Sequence, residues 1–254
     1  MGIVIETHIR ADLDELWART QDPARRQRWD LRFTRLHHLP RTAAEPDGAV
    51  PFRYATRVLP FLTVLGTGVA AAEPERPDGT RAAAQRFAAP HPLSPFAETT
   101  AHWRYLPDAH GVRLRVRYDH RPRGGAPGAL ADRLLVRPLA GWAAAWSVDR
   151  LRLWLEHGIT PERALRTWLA GLAVRALVLL CCLLGLGLEP FAGLGPLSAA
   201  GAFLCPLLLL AVACAALCKA PSRGAPAARR CVRTPLALAG TPRLLDTLRL
   251  PSAP

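Results

Sequence analysis

The chain has 254 residues, 33 of them basic against 20 acidic, a formal charge of +13, and half of its residues hydrophobic, so it is long enough for a packed domain and a further element. The positive charge is arginine except for Lys219, and Ala, Pro and Gly are abundant; this composition bias, spread along the chain and concentrated beside its apolar segments, is no evidence for nucleic acid, which is not the expected partner. The six cysteines all lie at or beyond Cys181, which excludes a disulfide framework or thiolate metal site from the first two thirds.

In chain order, Gly2 to Arg10 alternates apolar and polar residues, with Ile3, Ile5, Thr7 and Ile9 on one strand face. Asp12 followed by Glu15 forms a capping-box pattern that opens a helix running to Thr20. Asp22-Pro23 opens a second short helix ending near Trp29, with proline in its first turn. Extended segments follow near 31–39, 52–59, 62–73, 80–89, 97–106 and 111–121, separated by turn-rich stretches such as Glu45-Pro46-Asp47-Gly48 and Pro77-Asp78-Gly79. After Gly124-Gly125 the period becomes helical. Leu130, Leu134, Trp142, Trp146 and Trp154 mark one long helix to about His157, bent at Pro138. Meandering strands imply an antiparallel sheet, on whose concave face the last helix buries its apolar side.

Residues 158–166 read as a linker to two apolar segments, 167–188 and 196–219. A hydrocarbon core of ~30 Å takes roughly 20 helical residues, so both read as membrane-spanning helices joined by a tight loop at 189–195. Arg163 and Arg166 precede the first segment, and Lys219, Arg223, Arg229, Arg230 and Arg233 follow the second, whereas the loop carries Glu189 and no basic residue. The positive-inside rule then puts both termini in the cytoplasm, and the start of the chain shows no secretory-signal pattern. Arg175 lies near the cytoplasmic end of the first span, where it can snorkel, and Pro206 marks a kink in the second. The basic, Pro- and Ala-rich tail, 220–254, is expected to be disordered.

The run IVIETHIRADLDELWARTQDPARRQRWD, with Trp17 on the first helix, Asp22-Pro23 after it and Trp29 before the second strand, resembles the opening of the START-like, or SRPBCC, superfamily, the polyketide cyclase/dehydrase-like group. The resemblance covers 1–157 and includes a last helix ending WSVDRLRLWLE, Trp146 to Glu156. It implies an α+β helix-grip fold, in which a curved seven-stranded antiparallel sheet wraps a long C-terminal helix and leaves an apolar cavity. The transmembrane α-hairpin lies outside the family domain.

Strand parity selects the cavity-facing residues. Val112, Leu114, Val116, Tyr118 and His120 share one face of their strand, opposite Arg113, Arg115, Arg117 and Asp119. By the same rule Tyr54, Trp103 and Tyr105 point inward, and Trp142 faces them from the helix. These residues, Tyr54, Trp103, Tyr105, Val116, Tyr118, His120 and Trp142, suit a hydrophobic or aromatic molecule or a lipid held by a few hydrogen bonds. His120, Tyr118 and Tyr54 are the candidates for acid–base work if the domain is a cyclase or dehydratase. Arg113, Arg115 and Arg117 are candidates for contact with anionic headgroups, against a solvated sheet face. Asp30 and Arg32 read as a structural ion pair. No cofactor motif occurs, and His37-His38 point to opposite faces of a strand, so no metal site is expected. The leading reading is membrane-anchored binding or transfer of a hydrophobic molecule; an enzyme and a non-catalytic partner-binding module are the alternatives.

Overall fold

The computed structural model describes residues 2–40, 48–59, 61–91, 94, 96–188, 199–235 and 248. The elements run β1 (Gly2–Ile9), α1 (Leu13–Gln21), α2 (Pro23–Trp29), β2 (Arg35–His38), β3 (Ala49–Leu59), β4 (Leu62–Ala72), β5 (Arg81–Ala88), β6 (Phe96–Asp108), β7 (Gly111–Pro122), α3 (Gly125–Ala131), α4 (Arg137–His157), α5 (Pro161–Leu188), α6 (Ala199–Cys218) and β8 (Val232–Pro235). All eight strands form one antiparallel sheet in the order β2-β3-β4-β5-β6-β7-β1-β8. Two compact units result: residues 1–162 with 227–254, and residues 163–226.

In the first unit, the caps explain the first two helices. The Asp12 carboxylate accepts from the backbone N–H of Asp14 and Glu15, and Asp22 caps α2 through Ala24 N–H. Glu15 does not complete the capping box; its carboxylate pairs with Arg19 one turn on. Residues 31–34, expected to be extended, instead form a turn before the short β2, pinned to α4 by Leu31 N–H donating to Ser147 Oγ at 3.1 Å.

The long helix is not α-helical throughout. A π-helical turn, Asp132–Val136, lies between α3 and α4, and Pro138, which has no N–H to offer the preceding turn, follows directly after it. Leu130 and Leu134, expected on the apolar stripe, are exposed. The buried stretch of α4 is instead Ala144 to Leu151, and a Cβ at Gly141 would overlap the Ile3 side chain, so this glycine lets α4 approach β1.

The sheet has eight strands, not the expected seven, because part of the tail joins it. Val232–Pro235 pairs with β1 in the register Ile3↔Pro235 to Glu6↔Val232. Asp149 on α4, fully buried, holds the approach to that strand: it accepts from Ala227 N–H at 2.8 Å and pairs with Arg230 at 3.0 Å and Arg152 at 2.8 Å. Cys231, whose thiol burial pushes up to about 12, donates to Ala145 O at 3.4 Å. Leu248 is buried with Ala49, Val69, Ala71 and Ala84 of β3, β4 and β5. Tail disorder is therefore not what 227–235 and Leu248 display; the open edge of β1 and the Asp149 carboxylate supply the partners that the tail lacks by itself. Leu244, Leu245 and Leu250, like the turn residues 45–47 and the loop 189–195, lie outside the described residues.

Among the described residues one helix, Pro161–Gly185, most of it in the second unit, is long and apolar enough to cross a membrane, and almost none of it is buried in the protein. Pro206–Cys218 of α6 is a shorter apolar stretch following the internal Pro206. Arg175 donates to Lys219 O at 2.9 Å, and a Cβ at Gly185 would meet Leu209 at 3.1 Å, contacts whose order is that of antiparallel helices. Arg175 thus meets the carbonyl end of α6, where a cation is favoured.

Candidate functional site

Between α4 and the inner sheet face lies a cavity of about 250 Å³. Its walls are largely apolar, with Phe33, Val64, Phe87 and Phe96 from the sheet side and Ala140 and Ala144 from α4. Polar groups converge from Arg32, Tyr118, His120 and Thr99. Two glycines of β4 make the aromatic wall possible. A Cβ at Gly66 would overlap the Tyr54 ring and Ala88 O, and one at Gly68 would overlap Phe52 and Phe87, so the rings lie flat on the strand only because these positions lack side chains.

Arg32 anchors the polar end. Its Nε and Nη2 donate to the two Asp30 oxygens at 2.8 and 2.6 Å, and Nη2 also donates to Tyr118 Oη at 2.6 Å. Asp30 is wholly buried, yet its carboxyl stays below the usual carboxylate range: burial opposes ionisation, and the Arg32 and Arg26 charges with the Arg32 hydrogen bonds outweigh it. Arg32 is held above its ordinary value by the same Asp30 pairing, against burial. Burial pushes the Tyr118 phenol up to about 12, with Arg32 opposing. Tyr118 therefore stays a phenol at neutral pH. Because its oxygen accepts from Arg32, its own O–H remains a polarised donor.

His120 lies one inward position along β7. Its Nδ1 is 3.1 Å from Thr99 Oγ1, and its ring stacks on Phe96 at 4.3 Å between centroids. Burial, reinforced by the Arg32 charge, lowers its pKa to about 4, so the imidazole is neutral at pH 7. Tyr54 lines the same cavity and packs edge-on against Phe33 and Phe87; burial raises its phenol well above the ordinary value.

The structure thus brings Tyr54, Tyr118 and His120 together, and adds Arg32, which the sequence reading set aside as a structural ion pair. It does not bring Trp103, Tyr105, Val116 or Trp142 to this cavity. The first three are buried, Val116 opposite Trp103 in the sheet, and α1 and α2 cover the other two: Tyr105 Oη contacts Thr20 Oγ1 at 2.7 Å and accepts from Gln21 at 2.9 Å, and Trp103 packs on Trp29 at 6.1 Å. Trp142 is 37% exposed, because α4 turns Ala140 and Ala144 to the cavity and the residue midway between them faces away. On the outer face, Arg113 and Arg115 both approach Glu6, at 3.9 and 2.7 Å, and Arg117 lies opposite His102. Among the described residues no group of three or more His, Cys, Asp or Glu is placed to hold a metal ion.

No protein-family model matches the chain. The chain is 37% identical over 166 residues to the uncharacterized membrane protein YndG of Bacillus subtilis (strain 168), a match that spans 65% of this chain and 61% of that protein. Among solved structures, it is similar to TTHA0849 from Thermus thermophilus (17% identity, TM-score 0.44, 61% of this chain and 94% of that one). It is also similar to a STAR-related lipid transfer protein fragment from Xanthomonas axonopodis (21%, 0.42, 59% and 82%). A third is the Zhui aromatase/cyclase from Streptomyces sp. R1128 (15%, 0.41, 62% and 97%).

Proposed function

We propose that residues 1–157, completed by the returning strand β8, are a START-like domain that binds a hydrophobic small molecule or lipid and exchanges it with a membrane to which α5 and α6 anchor it. The observation that carries this reading is the 250 Å³ cavity, apolar over most of its wall and polar at the end formed by Arg32, Tyr118 and His120. Such a site fits a ligand with an apolar or aromatic body and one oxygen-bearing end that accepts from Tyr118 or Arg32. The relative that is named as a membrane protein supports the anchoring. The division of the chain bears on the return crossing: Glu162 and Ala227 belong to one compact unit, so if α5 crosses a membrane, α6 has to bring the chain back. The basic residues at the outer ends of both helices favour the cytoplasmic side for that unit.

The test is native mass spectrometry of the full-length protein in detergent, with organic extraction of what it retains. A stoichiometric hydrophobic species, reduced at least about tenfold by Ala144→Leu, which narrows the cavity, is the expected result. A protein reproducibly empty overturns the reading in favour of a partner-binding module. The Tyr118 hydroxyl supports a second reading, a cyclase- or dehydratase-type enzyme in which this polarised O–H steadies a carbonyl oxygen and the neutral His120 takes a proton from the adjacent carbon. In that case Tyr118→Phe and His120→Asn abolish turnover of the recovered molecule while its binding survives.

A further inference from the structure

A second cavity, of about 210 Å³, lies beside the first unit's α1 and α2 and is lined by Trp17, Leu36, Phe52, Gln85 and Arg26, among others. Phe52 borders this cavity, whereas Phe33, Tyr54 and Phe87, which pack on one another at 5.4–5.7 Å, border the first. Among the described residues no carboxylate lines it.

Arg26 is 2% exposed. Rings hold its guanidinium: its Cζ is 4.9 Å from the Phe33 centroid and 5.0 Å from that of Trp103. Its anionic partner is Asp30, but Asp30 is already taken by Arg32 at 2.6 and 2.8 Å, leaving Arg26 a single contact from Nε at 3.4 Å. Its Nη2 has no hydrogen-bond partner among the described residues, nor does Gln85 Oε1, 4% exposed on the same cavity. Two guanidinium groups therefore share one buried carboxylate, and a buried positive charge with unmet donors borders a space that no carboxylate of the described residues lines. A buried cation without a full partner is costly, and a carboxylate offers the bidentate acceptor geometry that a guanidinium matches. Trp17, Leu36, Val50 and Phe52 give it apolar and aromatic walls, Gln21 and His38 are its further polar members, and the volume admits one ring or a short chain.

We propose that this second cavity is a binding site for a small monocarboxylic acid, aromatic or short-chain, whose carboxylate pairs with Arg26 and whose apolar body lies against Trp17 and Phe52. The site is separate from the first cavity and does not require the function proposed for it.

Sodium benzoate, with neutral benzamide as its near-isostere, is titrated calorimetrically into the full-length protein in detergent. The expected result is benzoate binding about tenfold or more tighter than benzamide, with that preference lost in Arg26→Gln and partly kept in Arg26→Lys. Val50→Phe, which fills the cavity and leaves Arg26 in place, should also remove benzoate binding, and Ala144→Leu in the first cavity should not. Cooperative thermal melting identifies which variants are folded and therefore decisive. Equal affinity for the two ligands overturns the proposal, as does a benzoate preference that survives in folded Arg26→Gln or Val50→Phe. Benzoate binding lost only in Ala144→Leu assigns the acid to the first cavity, and also overturns it.

Discussion

Burial, reinforced by the Arg32 charge, holds the His120 imidazole at about 4, and burial does the same to His102 on the opposite sheet face. An unfolded histidine titrates near 6.5, so between about 6.5 and 4 the unfolded chain takes up protons that the folded domain refuses. The stabilising effect is complete above the unfolded value and is lost as pH falls toward 4, by up to about 3 kcal/mol for His120. Urea titrations at pH 7 and pH 4.5 should show His120→Asn less acid-sensitive than the parent, with His102 responsible for part of the remaining slope. An equal loss of stability in both proteins would rule this out. At Gly66 the expected change is steric: Gly66→Ala forces the Tyr54 ring from the strand and should lower stability by about 2 kcal/mol in thermal melts, and Gly68→Ala should behave alike through Phe52. Period-2 alternation made Tyr54, Tyr118 and His120 legible as inward residues. Arg32 was not, because 31–39 reads as one strand, whereas Leu31 and Arg32 form a turn that swings the guanidinium onto Tyr118. The available signal was an arginine bracketed by Trp29, Leu31 and Phe33, a charge in a stretch otherwise apolar enough to be buried.

At the scale of elements, β1 to β7 and the first two helices follow from alternation, turns and caps, all of them local signals. The interruption of the long helix and the last strand do not. VRTP has neither length nor alternation, and it becomes a strand through pairing with β1 and the nearby anchorage of 227–230 on Asp149. Asp149→Ala removes the carboxylate shared by Ala227 N–H, Arg152 and Arg230, and should cost about 3 kcal/mol, the buried N–H being left without its acceptor. Hydrogen exchange would read this locally, as faster exchange of the β1 amides in Ile3–Glu6 with the β3–β4 pair little changed. Unaltered protection of β1 would mean that β8 holds without Asp149.

For the whole molecule, two apolar segments stand out in the sequence, but the unit whose residues flank them on both sides does not, because its last strand lies after the second segment in a tail whose composition argues for disorder. With epitope tags at residues 1 and 254, protease added to one face of sealed vesicles should remove both tags or neither. Removal of one alone would mean an odd number of crossings and defeat the proposed anchor. The pairing of β1 with β8 also sets an order of events in biosynthesis. Gly2–Ile9 leaves the ribosome before the helical pair, and Val232–Pro235 is made more than 200 residues after it. At the usual 5–20 residues per second, that edge of β1 stays open for roughly ten seconds or longer. During that interval α5 and α6 are translated and, in the proposed topology, inserted. Closure of the sheet then comes after membrane integration, and a chain truncated anywhere in the helical pair leaves an unpaired strand edge for quality control to recognise.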